Sequence, residues 1–350
     1  MNVVHLIFSL GVGGAENLLV DIVNQQVQHA RVDVIVVNRV YSPALIRRID
    51  PRVRVTCLDR EVGNKWNVLP ILRCWQLLVS LRPTVLHCHN DDMMKLVRPW
   101  KNRTVLTVHN VAEPTTYLRL YRQIFAISKA VEEDLTQRGN PGSVVVLNGI
   151  DFTAFAPKTT YDGYQDEFRL LQISRLLHTE KGQDVAIRAL AALVRDPRYA
   201  HVTLSLVGEG PSLVFLQELA QELGVASQVH FLGVQDRGWI MQHLHTFDVL
   251  LQPSYSEGFG LTVLEGIAAG LPTVASNLEG PAEIMQGLPT GFLFTPGNPE
   301  HLADRLREVF ALYREGQLAT PIARSYELAE QRFSIKSTAE SYLRLYPRSR

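Results

Sequence analysis

Val3-Val4-His5-Leu6-Ile7-Phe8-Ser9-Leu10-Gly11-Val12-Gly13-Gly14-Ala15-Glu16 lies near the start of the chain, and its reading decides the fold. The apolar, partly β-branched run Val3–Ser9 reads as a buried first strand. A glycine turn follows, and from Ala15 to His29 the apolar residues return at helical spacing. Strand, glycine turn and helix in that order form the opening unit of a doubly wound α/β sheet. Glycines let the backbone approach a ligand closely, and the free N–H groups at a helix start attract anions. The run approaches the dinucleotide fingerprint G-x-G-x-x-G, but Glu16 stands at the third glycine position. An acid there opposes a pyrophosphate packed over the helix. A turn serving chain geometry alone remains an alternative to a loop that faces phosphate or sugar.

The same alternation continues outward. Val32–Val37, Val53–Cys57, Val85–His87, Thr104–Val108, Gln123–Ile127 and Val144–Leu147 read as further strands, with a helix at Leu69–Leu81. Asn148-Gly149-Ile150-Asp151 is a turn, and the polar stretch from there to Asp166 is the expected interdomain linker. Strands resume at Leu170–Ile173, Val202–Val207, Val229–Leu232, Val249–Leu251, Thr273–Ala275 and Gly291–Phe294. Helices fall at Gln183–Val194, Leu213–Leu223, Trp239–His243, Leu261–Ala269 and Pro299–Leu312, and a last one at Ile335–Tyr346. Gly270 and Pro272 supply a stop for the helix that begins at Leu261. The pattern predicts two Rossmann-like α/β domains with a cleft between them. The first takes residues 1–155 plus 335–350, the second 156–334. Ligands in such sheets bind beyond the carboxyl ends of the strands.

A length of 350 residues suits two such domains, and 46% hydrophobic residues supply real cores. The 35 basic residues balance the 35 acidic ones, which argues against a dedicated nucleic-acid binder. Cys57, Cys74 and Cys88 form no CxxC, so a disulfide framework and a zinc ribbon are not expected, and a reducing compartment is. No apolar run reaches the ~18 residues of a membrane span. No basic residue precedes Val3–Leu10, so no secretory signal is read there, and the expectation is a soluble cytoplasmic protein. The zero net charge hides a segregation. Residues 1–155 carry 18 Lys and Arg against 13 Asp and Glu, and residues 335–350 carry 4 against 1. Residues 156–334 carry 13 against 21. A basic first domain suits contact with anionic lipid headgroups, where each Lys or Arg contributes roughly 1 kcal/mol. Lys95-Leu96-Val97-Arg98-Pro99-Trp100-Lys101-Asn102-Arg103 is the candidate contact. Chance variation of surface charge is the plainer reading.

Chemistry concentrates late in the chain, in Pro253-Ser254-Tyr255-Ser256-Glu257-Gly258-Phe259-Gly260-Leu261-Thr262-Val263-Leu264-Glu265-Gly266. Glu257 falls on a loop and Glu265 about one turn inside a helix, so they meet different parts of a ligand. Acceptor-only carboxylates suit the vicinal hydroxyls of a hexose and a ribose. The backbone N–H groups of Phe259 to Thr262 supply an anion site. Arg175 and Lys181 follow a strand end. A forked donor and a point charge suit the two phosphates of a nucleoside diphosphate, although two surface cations near a turn need no such role. His109 ends a strand, where a histidine is as readily a satisfied core residue as a ligand. His87-Cys88-His89-Asn90-Asp91-Asp92 resembles the H-x-H-x-D-H run of metallo-β-lactamase-like hydrolases, but Asp92 replaces the last histidine. A core His87 and a cleft-lining His89 is the preferred reading, and no metal site is expected.

The double-glutamate cassette resembles the E-x7-E element of the retaining glycosyltransferases of family 4, which have the GT-B fold. The resemblance runs along nearly the whole chain. It takes in Gly13-Gly14-Ala15-Glu16, His109-Asn110, Asn148-Gly149-Ile150-Asp151, Ser174-Arg175 and Glu180-Lys181-Gly182. It continues through Val207-Gly208-Glu209-Gly210-Pro211 and Val229-His230-Phe231-Leu232-Gly233. It implies parallel sheets facing across a cleft, with the C-terminal helix returning to the first domain. It implies transfer of a hexose from a nucleotide sugar, with retention, to a glycan or lipid-linked acceptor. UDP is the expected base and GDP the second choice, with no metal cofactor. By the same resemblance Arg175 and Lys181 neutralise the departing diphosphate, and His109 hydrogen-bonds the transferred sugar. Glu257 takes that sugar and Glu265 the ribose. Gly14, Phe259, Gly260 and Leu261 help with N–H groups, Gly13, Glu209 and Gly258 line the donor site, and the strand end around His230 and Phe231 cradles the base. The imidazoles of His178, His230, His243 and His245 read as structural. Glu279-Gly280-Pro281-Ala282-Glu283 departs from the family's double glycine. Two rivals share the architecture: a non-hydrolysing sugar-nucleotide epimerase, and a catalytically silent nucleotide-sugar binder.

Overall fold

The computed structural model describes residues 1–11, 13–62, 68–161 and 167–347. Val12 of the glycine turn and the end of the expected linker, 162–166, lie outside the described residues. Contacts divide the chain into two compact units, Met1–Ile150 with the segment from Phe333 onward, and Asp151–Arg332.

The first unit holds seven strands: β1 (Asn2–Ile7), β2 (Arg31–Asn38), β3 (Arg54–Arg60), β4 (Val85–Cys88), β5 (Thr104–Val108), β6 (Gln123–Ala126) and β7 (Val144–Val145). All pair in parallel in the order β3-β2-β1-β4-β5-β6-β7. The near-continuous apolar runs of β1, β2 and β5 are what a parallel sheet covered on both faces requires. Val3, Val4 and Leu6 are fully buried, each contributing ~1.5–3 kcal/mol by removal from water. The helix Gly14–Gln26 crosses from β1 to β2. The helix Ile335–Leu345 packs on the same unit, where Ile335, Tyr342 and Tyr346 share a core with Val3, Leu18, Ile22 and Phe125. Strand order reverses between β1 and β4, so the loops after these strands open at the switch point where ligands bind.

The second unit holds β8 (Phe168–Ile173), β9 (Val202–Val207), β10 (Val229–Gly233), β11 (Val249–Gln252), β12 (Thr273–Ser276) and β13 (Gly291–Phe294). They form a parallel sheet in the order β10-β9-β8-β11-β12-β13, with its switch point between β8 and β11. Leu170, Leu204, Leu206, Val249 and Leu251 join Ile187, Leu190 and Leu306 from the covering helices in one core.

Each expected strand has a counterpart, with ends shifted by a few residues. The sequence pattern predicts no helix at Lys129–Gln137, which is mostly polar, or at Ala319–Phe333, where charged residues interrupt the apolar ones. In the first, Ala130, Val131 and Leu135 make the whole buried stripe, and Ser128 caps it by accepting from the Val131 N–H. The expected linker is not a free tether in its described part. Ala156 N–H donates to Met241 O, Lys158 pairs with Asp248 at 2.9 Å, and the Tyr161 hydroxyl donates to Gly270 O. These contacts tie residues 156–161 to the rest of the second unit.

Candidate active site

In the second unit, the loop after β8 and the loop after β11 are drawn together by backbone. Gly182 sits at φ +64°, and a Cβ there would overlap the Pro253 carbonyl oxygen, so only glycine allows the approach. Tyr255 N–H donates to Glu180 O at 2.8 Å across the same seam. As a result Lys181 Nζ lies 3.0 Å from Glu257 Oε2, with both side chains mostly buried. Gln252, at the end of β11, donates from Nε2 to Glu257 Oε2 at 3.2 Å and to Thr262 Oγ1 at 3.1 Å. Glu257 Oε2 is therefore held by one cation and one amide. Arg175 remains exposed, meeting Glu180 at 3.5 Å, and its guanidinium is available to an anion. Leu176 N–H donates to Glu209 O at 2.8 Å, which sets the exposed Glu209 beside the Arg175 turn.

The helix Leu261–Ala268 begins at Gly260, and its first N–H groups follow the Gly258-Phe259-Gly260 loop. The Phe259 ring is buried. A Cβ on Gly280 would come within 2.8 Å of Phe259 N and Cα, so the divergent Glu279-Gly280 segment is the backbone support of this loop. Glu265 is buried and pairs with Arg237 Nη1 at 3.4 Å. Arg237 opens a helix capped by Asp236, and nothing in its spacing links it to Glu265 in the sequence. On the edge strand β10, His230 is exposed, while Phe231 packs against the core. Of the two residues the resemblance implies for the base, His230 is therefore exposed and the Phe231 ring is taken up by the core. His178 stacks on Phe215 and meets Ser212 Oγ at 2.8 Å, and His243 stacks on Trp239, which is structural use.

In the first unit, Gly13 and Gly14 start the helix after β1, and the Glu16 carboxylate lies against Gly13. Burial raises the Glu16 carboxyl above its usual range. The helix start is therefore covered by the chain's own acid, and an incoming anion must displace it. His109 stands just past β5 and is half-buried. The Glu113 carboxylate accepts from the backbone N–H groups of His109 and Asn110, and burial raises its pKa to about 7. Sequence reading passed over Glu113.

His87 and His89 behave differently from a metal motif. His87 is fully buried, with Nδ1 at 2.7 Å from the Tyr346 hydroxyl and Nε2 at 2.7 Å from Thr107 Oγ1. His89 Nδ1 meets His109 Nε2 at 3.0 Å, and Asp91 accepts from Tyr117 N–H. Ring nitrogens of His5, His87 and His89 lie within 4.8 Å of one another, yet His87 has both of its nitrogens engaged.

Residues 12–154 match the family described as Glycosyltransferase Family 4, and residues 161–320 match Glycosyl transferases group 1. A glycogen synthase of Mycobacterium tuberculosis is 33% identical over 260 residues, 66% of this chain and 61% of its own length. The chain spans about half to three fifths of the length of the curated relatives it matches first. Among solved structures, a glycosyltransferase of Rickettsia africae superposes with TM-score 0.82 at 19% identity, covering 99% of this chain and 97% of its own. Anabaena HepE in complex with UDP and glucose superposes with TM-score 0.80 at 23% identity, covering 98% of each chain.

Proposed function

We propose that this chain, which belongs to the family 4 glycosyltransferases and has the GT-B fold, transfers a hexose from a nucleotide-diphosphate sugar to a glycan or lipid-linked acceptor, with retention. The observation that carries this reading is the Lys181–Glu257 pair beside the exposed Arg175 and the helix start at Leu261. Lys181, Arg175 and the amides of Phe259, Gly260 and Leu261 hold the two phosphates. Glu257 takes hydroxyls of the transferred sugar, and Glu265, oriented by Arg237, takes the ribose. UDP is the favoured base, since a protein of the same fold binds UDP and glucose.

In the proposed step the bond from the anomeric carbon to the phosphate oxygen breaks, and the acceptor hydroxyl adds on the same face. Its proton passes to the leaving phosphate oxygen, which removes the need for a carboxylate base. Negative charge grows on the diphosphate as it departs, and fixed cations and amides stabilise that charge without reorganising. These groups supply the charge neutralisation that a divalent ion would otherwise provide, so we assign a metal-independent reaction.

The first unit would receive the acceptor, working at an anionic membrane surface on the cytoplasmic side. No helix of the described residues is long and apolar enough to cross a membrane. The helix Leu69–Leu81 exposes Leu69, Leu72, Trp75 and Val79. Trp75 meets Trp100 edge-on at 6.4 Å and donates to Leu96 O, which joins this apolar face to the basic Lys95–Arg103 stretch. Apolar insertion beside cations is the pattern of interfacial binding.

A thermal-shift panel of nucleoside diphosphates and their sugars, run with and without EDTA, tests the reading. A tight ligand raises the melting point by mass action. UDP and UDP-hexoses should do so equally in EDTA. Shifts that need Mg²⁺ or Mn²⁺ would overturn the metal-free assignment, and no shift with any nucleotide would overturn the donor site.

A further inference from the structure

Four imidazoles stack at the switch point of the first sheet. His5 lies on β1 and pairs in register with His87 on β4, while His89 and His109 stand just past β4 and β5. Ring centroids are 4.8 Å apart for His5–His87, 4.6 Å for His87–His89, 5.4 Å for His5–His89 and 5.3 Å for His89–His109. Their nitrogens form one continuous chain. His109 Nε2 meets His89 Nδ1 at 3.0 Å, and His89 Nε2 meets His5 Nδ1 at 3.1 Å. His5 Nε2 meets Gln26 Oε1 at 2.8 Å, and Gln26 Nε2 donates to the Tyr346 hydroxyl at 3.1 Å. Tyr346 continues to His87, Thr107 and Tyr342.

A neutral imidazole has one donor and one acceptor, so each bond in such a chain fixes the next. Burial lowers the pKa of His5 and His109 to about 4 and holds His87 and His89 well below the usual histidine range, so all four rings are neutral near pH 7. The Gln26 carboxamide oxygen can only accept. His5 must then carry its proton on Nε2 and accept on Nδ1. His89 must donate from Nε2 and accept on Nδ1, and His109 must donate from Nε2. Turning the Gln26 amide over would reverse every bond in the series, so this one buried side chain selects between two settings.

We infer that Gln26 is a positioning residue that sets the tautomer of His109, leaving Nδ1 of His109 as a hydrogen-bond acceptor. The consequence for the donor rests on the function proposed above and on the contact with the transferred sugar that the family resemblance implies for His109. An acceptor nitrogen takes a sugar hydroxyl and repels a carboxylate oxygen, so the site suits a neutral hexose over a uronic acid. Gln26 is fully buried in the helix Gly14–Gln26, and its hydrogen bond to His5 links it to His109 through His89.

The test is long-range ¹H–¹⁵N correlation of the imidazoles in the ¹⁵N-labelled full chain at neutral pH, with His109→Asn used to assign the His109 signals. The wild type should show a protonated, pyrrole-type Nε2 and a bare, pyridine-type Nδ1 at His109, with the same pattern at His89 and His5. Gln26→Leu removes the acceptor and should give mixed tautomers at His109. Gln26→Glu keeps an acceptor toward His5 and should preserve the His109 pattern. It takes the Tyr346 proton and should move the His87 proton to Nδ1. A wild-type His109 protonated on Nδ1, or a Gln26→Leu protein with an unchanged His109 pattern, would overturn the inference. If the leucine variant does not fold, the wild-type spectrum and the glutamate variant still decide. None of these readouts needs a substrate, so an absence of sugar transfer would count against the proposed function alone.

Discussion

Replacing Lys181 by Met keeps the aliphatic stem and removes the charge that lies 3.0 Å from Glu257. Two magnitudes then separate. In the donor-free protein the pair is about a quarter exposed at Lys181 and a fifth at Glu257. A partly solvated ion pair of this kind contributes up to ~1 kcal/mol. In a unit of this size that is a fall of about 2–4 °C in melting temperature. In the proposed transfer the same ammonium meets a diphosphate whose charge is growing. Loss of one such stabiliser costs about 2.7–4 kcal/mol, or ~10²–10³ in kcat. The assay is steady-state transfer at saturating donor, paired with thermal unfolding of the same preparations. The expected result is a kcat reduced at least about a hundredfold in a protein that melts within a few degrees of wild type. A kcat within about threefold of wild type would refute the charge-stabilising role. So would a loss of activity that simply tracked a loss of folded protein.

Three further outcomes are expected. Gly182→Ala places a Cβ against the Pro253 carbonyl at φ +64°, so it should separate Lys181 from Glu257 and lower both melting temperature and kcat; a variant matching wild type in both would show that the seam is adaptable. The buried histidines predict acid sensitivity. Their native pKa values lie below the unfolded value of 6.5, with His5 and His109 near 4, so the unfolded chain binds more protons between those limits. The stability they contribute is complete above pH 6.5 and falls toward pH 4 by up to ~1.4 kcal/mol per pH unit for each ring. Glu113, raised to about 7, opposes this with a single proton between pH 4.5 and 7. Denaturant melts flat from pH 6.5 to 4.5 would contradict a neutral stack. Finally, Leu72→Asp with Val79→Asp should weaken binding to anionic vesicles, and salt should weaken the wild-type interaction; equal wild-type binding to neutral vesicles would end the membrane assignment.

Both sheets were legible because parallel strands buried on two faces read as unbroken apolar runs. Val202–Val207 and Thr104–Val108 begin and end where the sequence places them. The helix Ala319–Phe333 was not legible, since its buried face includes Ser325, whose partner Thr290 lies 35 positions away. At the candidate site, the sequence singles out residues that carry charge in a short motif: Arg175, Lys181, Glu257 and Glu265. The residues that hold them were not. Gln252 reaches Glu257 from a strand end, and Arg237 meets Glu265 across 28 positions of sequence. Gln26 reaches Tyr346 across 320 positions. A glutamine with no charge and no motif gives no signal until the fold brings its partner near. His87 and His89 illustrate the reverse case. Their spacing predicts a core His87 and a cleft-lining His89; His87 is in the core, whereas His89 is buried as well and joins it in a hydrogen-bonded stack.

In the proposed reaction two fixed cations and peptide amides hold the diphosphate. A crystal structure of the protein with a non-transferable UDP-hexose tests it most directly. The phosphate oxygens should lie within about 3.5 Å of Lys181 Nζ and the Arg175 guanidinium, with N–H groups at the start of the helix Leu261–Ala268 completing the cradle. Phosphates ligated by a metal ion, or bound away from both side chains, would contradict it.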